Sequence, residues 1–225
     1  MSGHYINVIV AVMVITTMLV TIVVSFNVAV GIIMRRRCAR SLWGHGVGKA
    51  LGFDTFEAYF ATIPEIPWRL LLWGWRKFPF LVLVETRLAL TCICKLLDIK
   101  FDGGDGLFVA YDERSVVVQQ PYWIQAQDGR KYRGLTVCEC RERFGKREMG
   151  LIAIEGVCFV SQYPSVLGDL TGENCHVMDL PGSVVHNDRD EAAYLYLKDG
   201  RMRLDFGSDC SPYEESGSAS RRKCA

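Results

Sequence analysis

The chain is short of the groups on which catalysis usually rests. Histidine is scarce, with four in 225 residues: His4, His45, His176 and His186. Cys175-His176 followed by His186 fits no zinc-ligand pattern, because structural zinc sites pair their ligands two to four residues apart. No Gly-x-Gly-x-x-Gly opens a helix and no phosphate-binding loop is present, so the common nucleotide fingerprints are missing. These absences leave no nucleophile–base pair and no metal or cofactor set, and the sequence reads as non-enzymatic with no cofactor. Net charge is also nearly absent, at +1, so no global field recruits nucleic acid. No Asn-x-Ser/Thr sequon occurs, which fits a chain with little lumenal mass. Cysteine is plentiful at nine, but the spacing is not that of a disulfide framework. Cys92-x-Cys94 and Cys138-x-Cys140 are one residue tighter than the redox or zinc motif. Residues i and i+2 of a strand share a face, so the second pair reads as two small hydrophobes on one side of a sheet.

The most telling absence is local. Tyr5 to Met34 contains no charged side chain, and the six residues after it, Arg35-Arg36-Arg37-Cys38-Ala39-Arg40, carry four arginines. A run longer than about 20 apolar residues predicts a membrane-spanning helix from about Ile6 to Met34. Arg35, Arg36, Arg37 and Arg40 then fix its orientation: the N-terminus is lumenal or external and the C-terminal part cytosolic, or inside a virion. A cleaved signal peptide fits less well, since no basic segment precedes the run. In a reducing compartment the later cysteines would be free thiols. Cys38, beside four arginines at a cytosolic boundary, is a candidate for S-palmitoylation, as are Cys92 and Cys94 if their segment embeds.

Two further segments read ambiguously. Ser41 to Pro67 mixes aromatic residues with Lys49, Asp54, Glu57 and Glu65, which predicts an interfacial amphipathic helix broken at Pro64 and Pro67. In Trp68 to Leu97, the residues Trp68, Trp73 and Trp75 with Arg69, Arg76 and Lys77 look like an interface belt. Phe78 to Leu97 is then long enough to span. Glu85 and Arg87 would be intramembrane polar groups that face protein or water. The expectation is therefore one to three embedded helices.

From Asp102 the character changes. Asp102-Gly103-Gly104-Asp105-Gly106 is a turn-rich linker. Leu107–Tyr111, Ser115–Gln120, Trp123–Gln127 and Tyr132–Cys138 read as strands, with Asp128-Gly129 as a two-residue hairpin turn. Gly150–Ser161 is a mostly apolar run. Ala192–Leu197 and Arg201–Phe206 flank Asp199-Gly200, a second hairpin. The fold class expected is thus membrane α + β: an N-terminal transmembrane helix followed by an antiparallel β-sandwich. The expected divisions are 1–40 (transmembrane helix and basic flank), 41–101 (amphipathic or embedded helices), 102–207 (cytosolic β-sandwich) and 208–225 (flexible tail). Ser216-Gly217-Ser218-Ala219-Ser220 is what predicts flexibility in the last. Arg141, Arg143, Lys146 and Arg147 form the densest basic stretch of the β half. A solvated loop, an anionic-lipid contact and a nucleoprotein contact all fit it.

The order of these parts resembles the membrane (M) proteins of coronaviruses and related nidoviruses. Thr86-Arg87-Leu88 and Leu107-Phe108-Val109 resemble the end of that family's third helix and the start of its sandwich. Gly150-Leu151-Ile152-Ala153-Ile154-Glu155-Gly156-Val157-Cys158-Phe159 resembles its central strands. Cys175-His176-Val177-Met178-Asp179-Leu180-Pro181, followed by Val184-Val185 and Tyr194-Leu195-Tyr196, resembles its Asp-Leu-Pro turn and tyrosine hairpin. The family's Trp-Ser-Phe-Asn-Pro-Glu hinge is replaced by Ile99-Lys100-Phe101-Asp102-Gly103-Gly104. The resemblance implies a viral matrix protein that forms homodimers in an ER or Golgi budding membrane. It implies membrane lipid, nucleocapsid and envelope proteins as partners in virion assembly, and no sequence-specific nucleic acid. Arg141–Arg147 or the Arg221–Lys223 stretch would make the nucleoprotein contact. A viroporin-like accessory protein, with Glu85 and Arg87 along a polar path, is the alternative, as is a cellular membrane-anchored adaptor.

Overall fold

The computed structural model describes residues 2–72, 76–111, 119–168, 175–211 and 213–223. Within the first helix it describes the side chains of residues 13, 15–18, 21 and 29 onward. That helix, α1, runs from Ser2 to Gly44. Three short helices follow: α2 (Val47–Ala50), α3 (Phe56–Ala61) and α4 (Trp68–Leu72). Thr55 caps α3, accepting the Ala58 N–H on its hydroxyl at 3.2 Å.

Two antiparallel sheets carry the rest. The first has the order β1 (Phe80–Val84), β3 (Tyr122–Gln127), β9 (Ser220–Arg222), β4 (Glu148–Gly150). The second has β2 (Phe108–Ala110), β5 (Val177–Val185), β6 (Asp188–Lys198) and β7 (Arg201–Ser208) in order, with β8 (Ser216–Ser218) parallel to β5. Helix α5 (Leu90–Leu96) follows β1, and α6 (Val137–Arg143) precedes β4. Helix α7 (Ala153–Gln162) packs against β1 of one sheet and β5 and β6 of the other, and all ten of its residues are buried.

That helix corrects the central strands that the resemblance implied for Gly150–Phe159. Only Glu155, Ser161 and Gln162 of its ten residues are polar and all three are buried, so in the sequence it looks like any short apolar run. Glu155 sets its start, accepting the Ile152 N–H at 3.1 Å. Gly156 sets its depth: a Cβ there would lie 2.5 Å from Leu180 and 3.1 Å from Leu195, so a larger residue must push these leucine side chains aside. The expected sandwich is thereby corrected to an α+β body in which a buried helix separates the sheets. Strand β1 feeds two cores by simple alternation. Val82 and Val84 face the α7 core, while Leu81 and Leu83 face a second core built with Cys38, Ala39, Leu42 and Tyr59.

The two Asp-Gly turns part ways. Asp199 (φ 53°) and Gly200 (φ 71°) close the β6–β7 hairpin with Lys198 opposite Arg201, because both central residues tolerate positive φ. Gly129 (φ 93°) instead leads β3 into a 3-10 turn, Arg130–Tyr132, and then α6. Strand β3 pairs with β1 and β9, not with residues 132–138. Cys138 and Cys140 therefore lie on a helix, where positions two apart point in different directions. Of the strand expected at 115–120, residues 115–118 lie outside the described residues.

The C-terminal stretch is structural. Ser218, Ala219 and Ser220 are fully buried. The Ala219 N–H donates to Asp179 O in the second sheet (2.9 Å), and its carbonyl accepts from Leu151 N, just after β4 (3.1 Å). β8 and β9 thus join the two sheets through one residue.

The integral-membrane reading is corrected as well. Among the described residues no helix is long and apolar enough to cross a membrane. Residues 78–97 form a strand, a turn and the seven-residue α5. That helix rises about 10 Å, against a hydrocarbon core of about 30 Å. Residues 41–67 form the end of α1 and the short helices α2 and α3. The end of α1 packs on protein: Cys38, Ala39 and Leu42 are buried in the second core. A lumenal N-terminus with a cytosolic domain has no described span to rest on, and the embedded belt falls partly on Trp73 and Trp75, which lie outside the described residues.

Candidate functional site

The arginines expected to fix topology are bound to protein. Arg35 Nη2 donates to Ile63 O and stacks over the Phe60 ring at 4.4 Å, closing the carbonyl end of α3. Arg36 pairs with Glu57, Arg40 lies over Phe56 at 5.5 Å, and Arg37 lies over Tyr163 at 5.4 Å. Cys38 is buried, its thiol directed at Leu81 O and pushed up to about 11 by desolvation. Burial likewise pushes the Cys94 thiol up to about 12, while Cys92 is half-buried on α5. An acyl chain has no access to Cys38 or Cys94 without unfolding.

Glu85 and Arg87 form a compact ion pair at the end of β1. The Arg87 side chain donates to Glu85 twice, Nε to Oε1 at 2.8 Å and Nη2 to Oε2 at 2.6 Å, and its backbone N–H donates to Oε1 at 3.1 Å. Tyr59 Oη donates to Oε2 at 3.3 Å, and Arg87 Nη1 donates to Thr62 at 2.9 Å. The pair ties α3 to β1, and its carboxylate has no exposed side-chain surface.

Of the basic stretch, Arg143, Lys146 and Arg147 are exposed. Arg141 is not available: it pairs with the buried Asp209, donates to Pro181 O at 3.0 Å and lies 3.9 Å from the Tyr111 ring centroid. His176 is buried with Nε2 2.6 Å from Asp128 O, and burial lowers its pKa.

The residues that do converge carry no site reading from the sequence, where Asp179, Tyr194 and Tyr196 enter only through the resemblance. A cavity of about 380 Å³ opens over β5, β6 and β7, lined by Asp179, Tyr194, Tyr196, Tyr213, Glu215 and Ser216 among others. Period-two alternation puts Tyr194 and Tyr196 on one face, their rings 5.6 Å apart. Ser216 donates to Asp179 Oδ1 at 3.1 Å, yet burial outweighs that bond and pushes the Asp179 carboxyl up to about 7. Burial also pushes Tyr194 up to about 12. Beside the cavity stands a cluster of Cys138, Asp209 and Cys210, with the two sulfurs 3.5 Å apart. Desolvation, then hydrogen bonds to Asp209 and Cys210, push the Cys138 thiol up to about 12. Such a cavity suits a ligand held by tyrosine faces and an acid that changes charge near neutral pH. The two tyrosines were visible as a Tyr-x-Tyr strand pattern, but the thiol pair had no local signal.

No family model, curated protein or solved structure matches the chain. The likeness to nidovirus membrane proteins rests on the residues quoted for it alone.

Proposed function

We propose that the protein is a non-enzymatic structural assembly protein: α1 helices of several copies pack together, and the α+β heads present a basic edge to an acidic partner. The observation that carries this reading is on α1. Ile15, Thr16, Thr17 and Met18 are consecutive and all exposed, so the helix is uncovered on every face at that height. Met13, Ile32 and Ile33 are exposed too, at 60–65%. Thr17 and Thr21 turn their hydroxyls inward onto Met13 O and Thr17 O at 2.8 and 2.9 Å, leaving methyl groups outward. A helix apolar all round calls for cover all round. Another α1, equally uncharged from Tyr5 to Met34, supplies it. Arg143, Lys146 and Arg147 form the basic edge, and a nucleoprotein is the partner class that the sequence resemblance implies.

Light scattering on the full chain in aqueous buffer tests this. Wild type is expected as a defined oligomer and Ile15→Glu/Met18→Glu as a folded monomer. A monomeric wild type overturns the reading. So does a wild type that disperses only by entering lipid vesicles as single copies, which assigns the apolar face to lipid.

A further inference from the structure

The structure assigns a second, independent feature: we propose that Cys138, Asp209 and Cys210 bind one thiophilic divalent cation, zinc above all, with one coordination position left for water or a partner group. The donors come from two segments. Cys138 lies in the first turn of α6, and Asp209 and Cys210 follow β7. The Sγ–Sγ separation is 3.5 Å, Cys210 Sγ lies 3.2 Å from Asp209 Oδ1, and all three donor atoms fall within 4.8 Å of one another. Two sulfurs on a tetrahedral zinc at about 2.3 Å each sit about 3.8 Å apart. The two sulfurs therefore accept a metal with a shift of tenths of an ångström, whereas a disulfide must draw them in to about 2.05 Å.

The backbone holds the segments together before any ion arrives. The Cys138 N–H donates to Asp209 O at 3.2 Å, and the Asp209 N–H donates to Asp190 O at 2.8 Å. Arg141 binds Asp209 through Oδ2, which leaves Oδ1 turned to the thiols. Arg141 is itself fixed by Pro181 O and the Tyr111 ring. An outer partner that orients a ligating carboxylate is a regular part of metal sites.

Charge closes as well. Two thiolates and a carboxylate carry three negative charges; the dication and Arg141 carry three positive. The site is neutral once loaded, which suits a carboxylate only 3% exposed. Binding expels the two thiol protons to solvent. Two soft sulfur donors select zinc or cobalt over calcium and magnesium. Cys210 is exposed, so the open position faces solvent. Ser208 and Ser211, on either side of the ligands, line the tyrosine cavity, so the ion sits at its rim.

The test is a cobalt(II) titration of the full chain, reduced with a phosphine that does not bind metal. The expected result is one cobalt per chain, a near-ultraviolet thiolate-to-cobalt charge-transfer band, and displacement by zinc. Cys210→Ser and Cys138→Ser each weaken binding by about 100-fold or more, with unchanged circular dichroism. Cys92→Ser, on α5, leaves the titration as it was. Cys210→Ser keeps the test decisive, because an exposed side chain is the least disruptive to fold. No thiolate band on the reduced wild type overturns the site, as does a band undiminished in Cys210→Ser. A reduced chain that ignores cobalt but loses two hydrogens in air between Cys138 and Cys210 overturns it in favour of a disulfide.

Discussion

Replacing Arg87 with methionine strands a carboxylate. Glu85 has no exposed side-chain surface, whereas Arg87 is 21% exposed. Breaking a buried pair by removing one partner costs about 3–5 kcal/mol, because the remaining charge stays desolvated. Glu85 keeps the Tyr59 hydroxyl at 3.3 Å and the Arg87 backbone N–H at 3.1 Å, which places the loss near the low end, about 3 kcal/mol. For a chain of 225 residues that corresponds to a fall in Tm of about 6–12 °C. Glu85→Gln keeps shape and leaves a cation that turns to water, so its cost is smaller, about 1–2 kcal/mol. Glu85→Gln/Arg87→Met removes both charges and is expected to lose no more than the Arg87 single variant. The assay is urea unfolding at fixed protein concentration, since association adds to apparent stability. A loss for Arg87→Met within about 0.5 kcal/mol refutes the reasoning, as does a double variant whose loss equals the sum of the two singles.

Three other outcomes follow from burial and packing elsewhere in the fold. Asp179 has a folded pKa of about 7 against 3.8 unfolded, so the native state binds the extra proton between these values and stability falls as pH rises from about 4 to 7. The full difference is about 4 kcal/mol. Asp179→Asn is expected to flatten that slope and to be the more stable form at pH 8, and parallel slopes in urea melts at several pH values refute this. In native thiol titration with a bulky disulfide reagent, Cys210 is expected to react first among the described cysteines, while Cys38, Cys94, Cys140 and Cys158 react only on unfolding; prompt labelling of Cys158 on mass mapping contradicts the fold. Gly156→Val is expected to cost about 2 kcal/mol or more by overpacking against Leu180 and Leu195, and an unchanged melting temperature refutes the packing of α7.

What the sequence disclosed was whatever local chemistry decides. Asp199-Gly200 names its own hairpin, because positive φ at two successive residues is a property of those residues. Helix α7 gives a weaker signal: it is ten residues long, buries even Glu155, Ser161 and Gln162, and is mostly apolar, so length and composition do not tell it from a buried strand. The Ser216–Ser220 stretch is polar and small, and its order comes from pairing with β3, β4 and β5, none of them near in sequence. The arginines after the apolar run are equally two-faced. The charges that would flank a span instead stack on the aromatic rings of α3 and on Tyr163. The thiol pair joins residues 72 apart and is invisible to any reading of spacing.

The junction at Ala219 also sets the order in which the molecule can assemble. The β6–β7 hairpin closes over two residues and belongs to the microsecond class of events. Seating β9 against β3 brings together groups 93 positions apart, as in the Gln127–Ser220 bond, and must wait for loop closure. Until then β3 and β4 each show an open edge with apolar neighbours, the kind of surface on which chains pair with one another. Conditions that slow this last closure, rather than those that weaken the finished fold, are where refolding yield will be lost. A trapped species should hold the second sheet's hairpin and lack hydrogen-exchange protection at Leu151 and Ala219, whose N–H groups are bonded only through the junction.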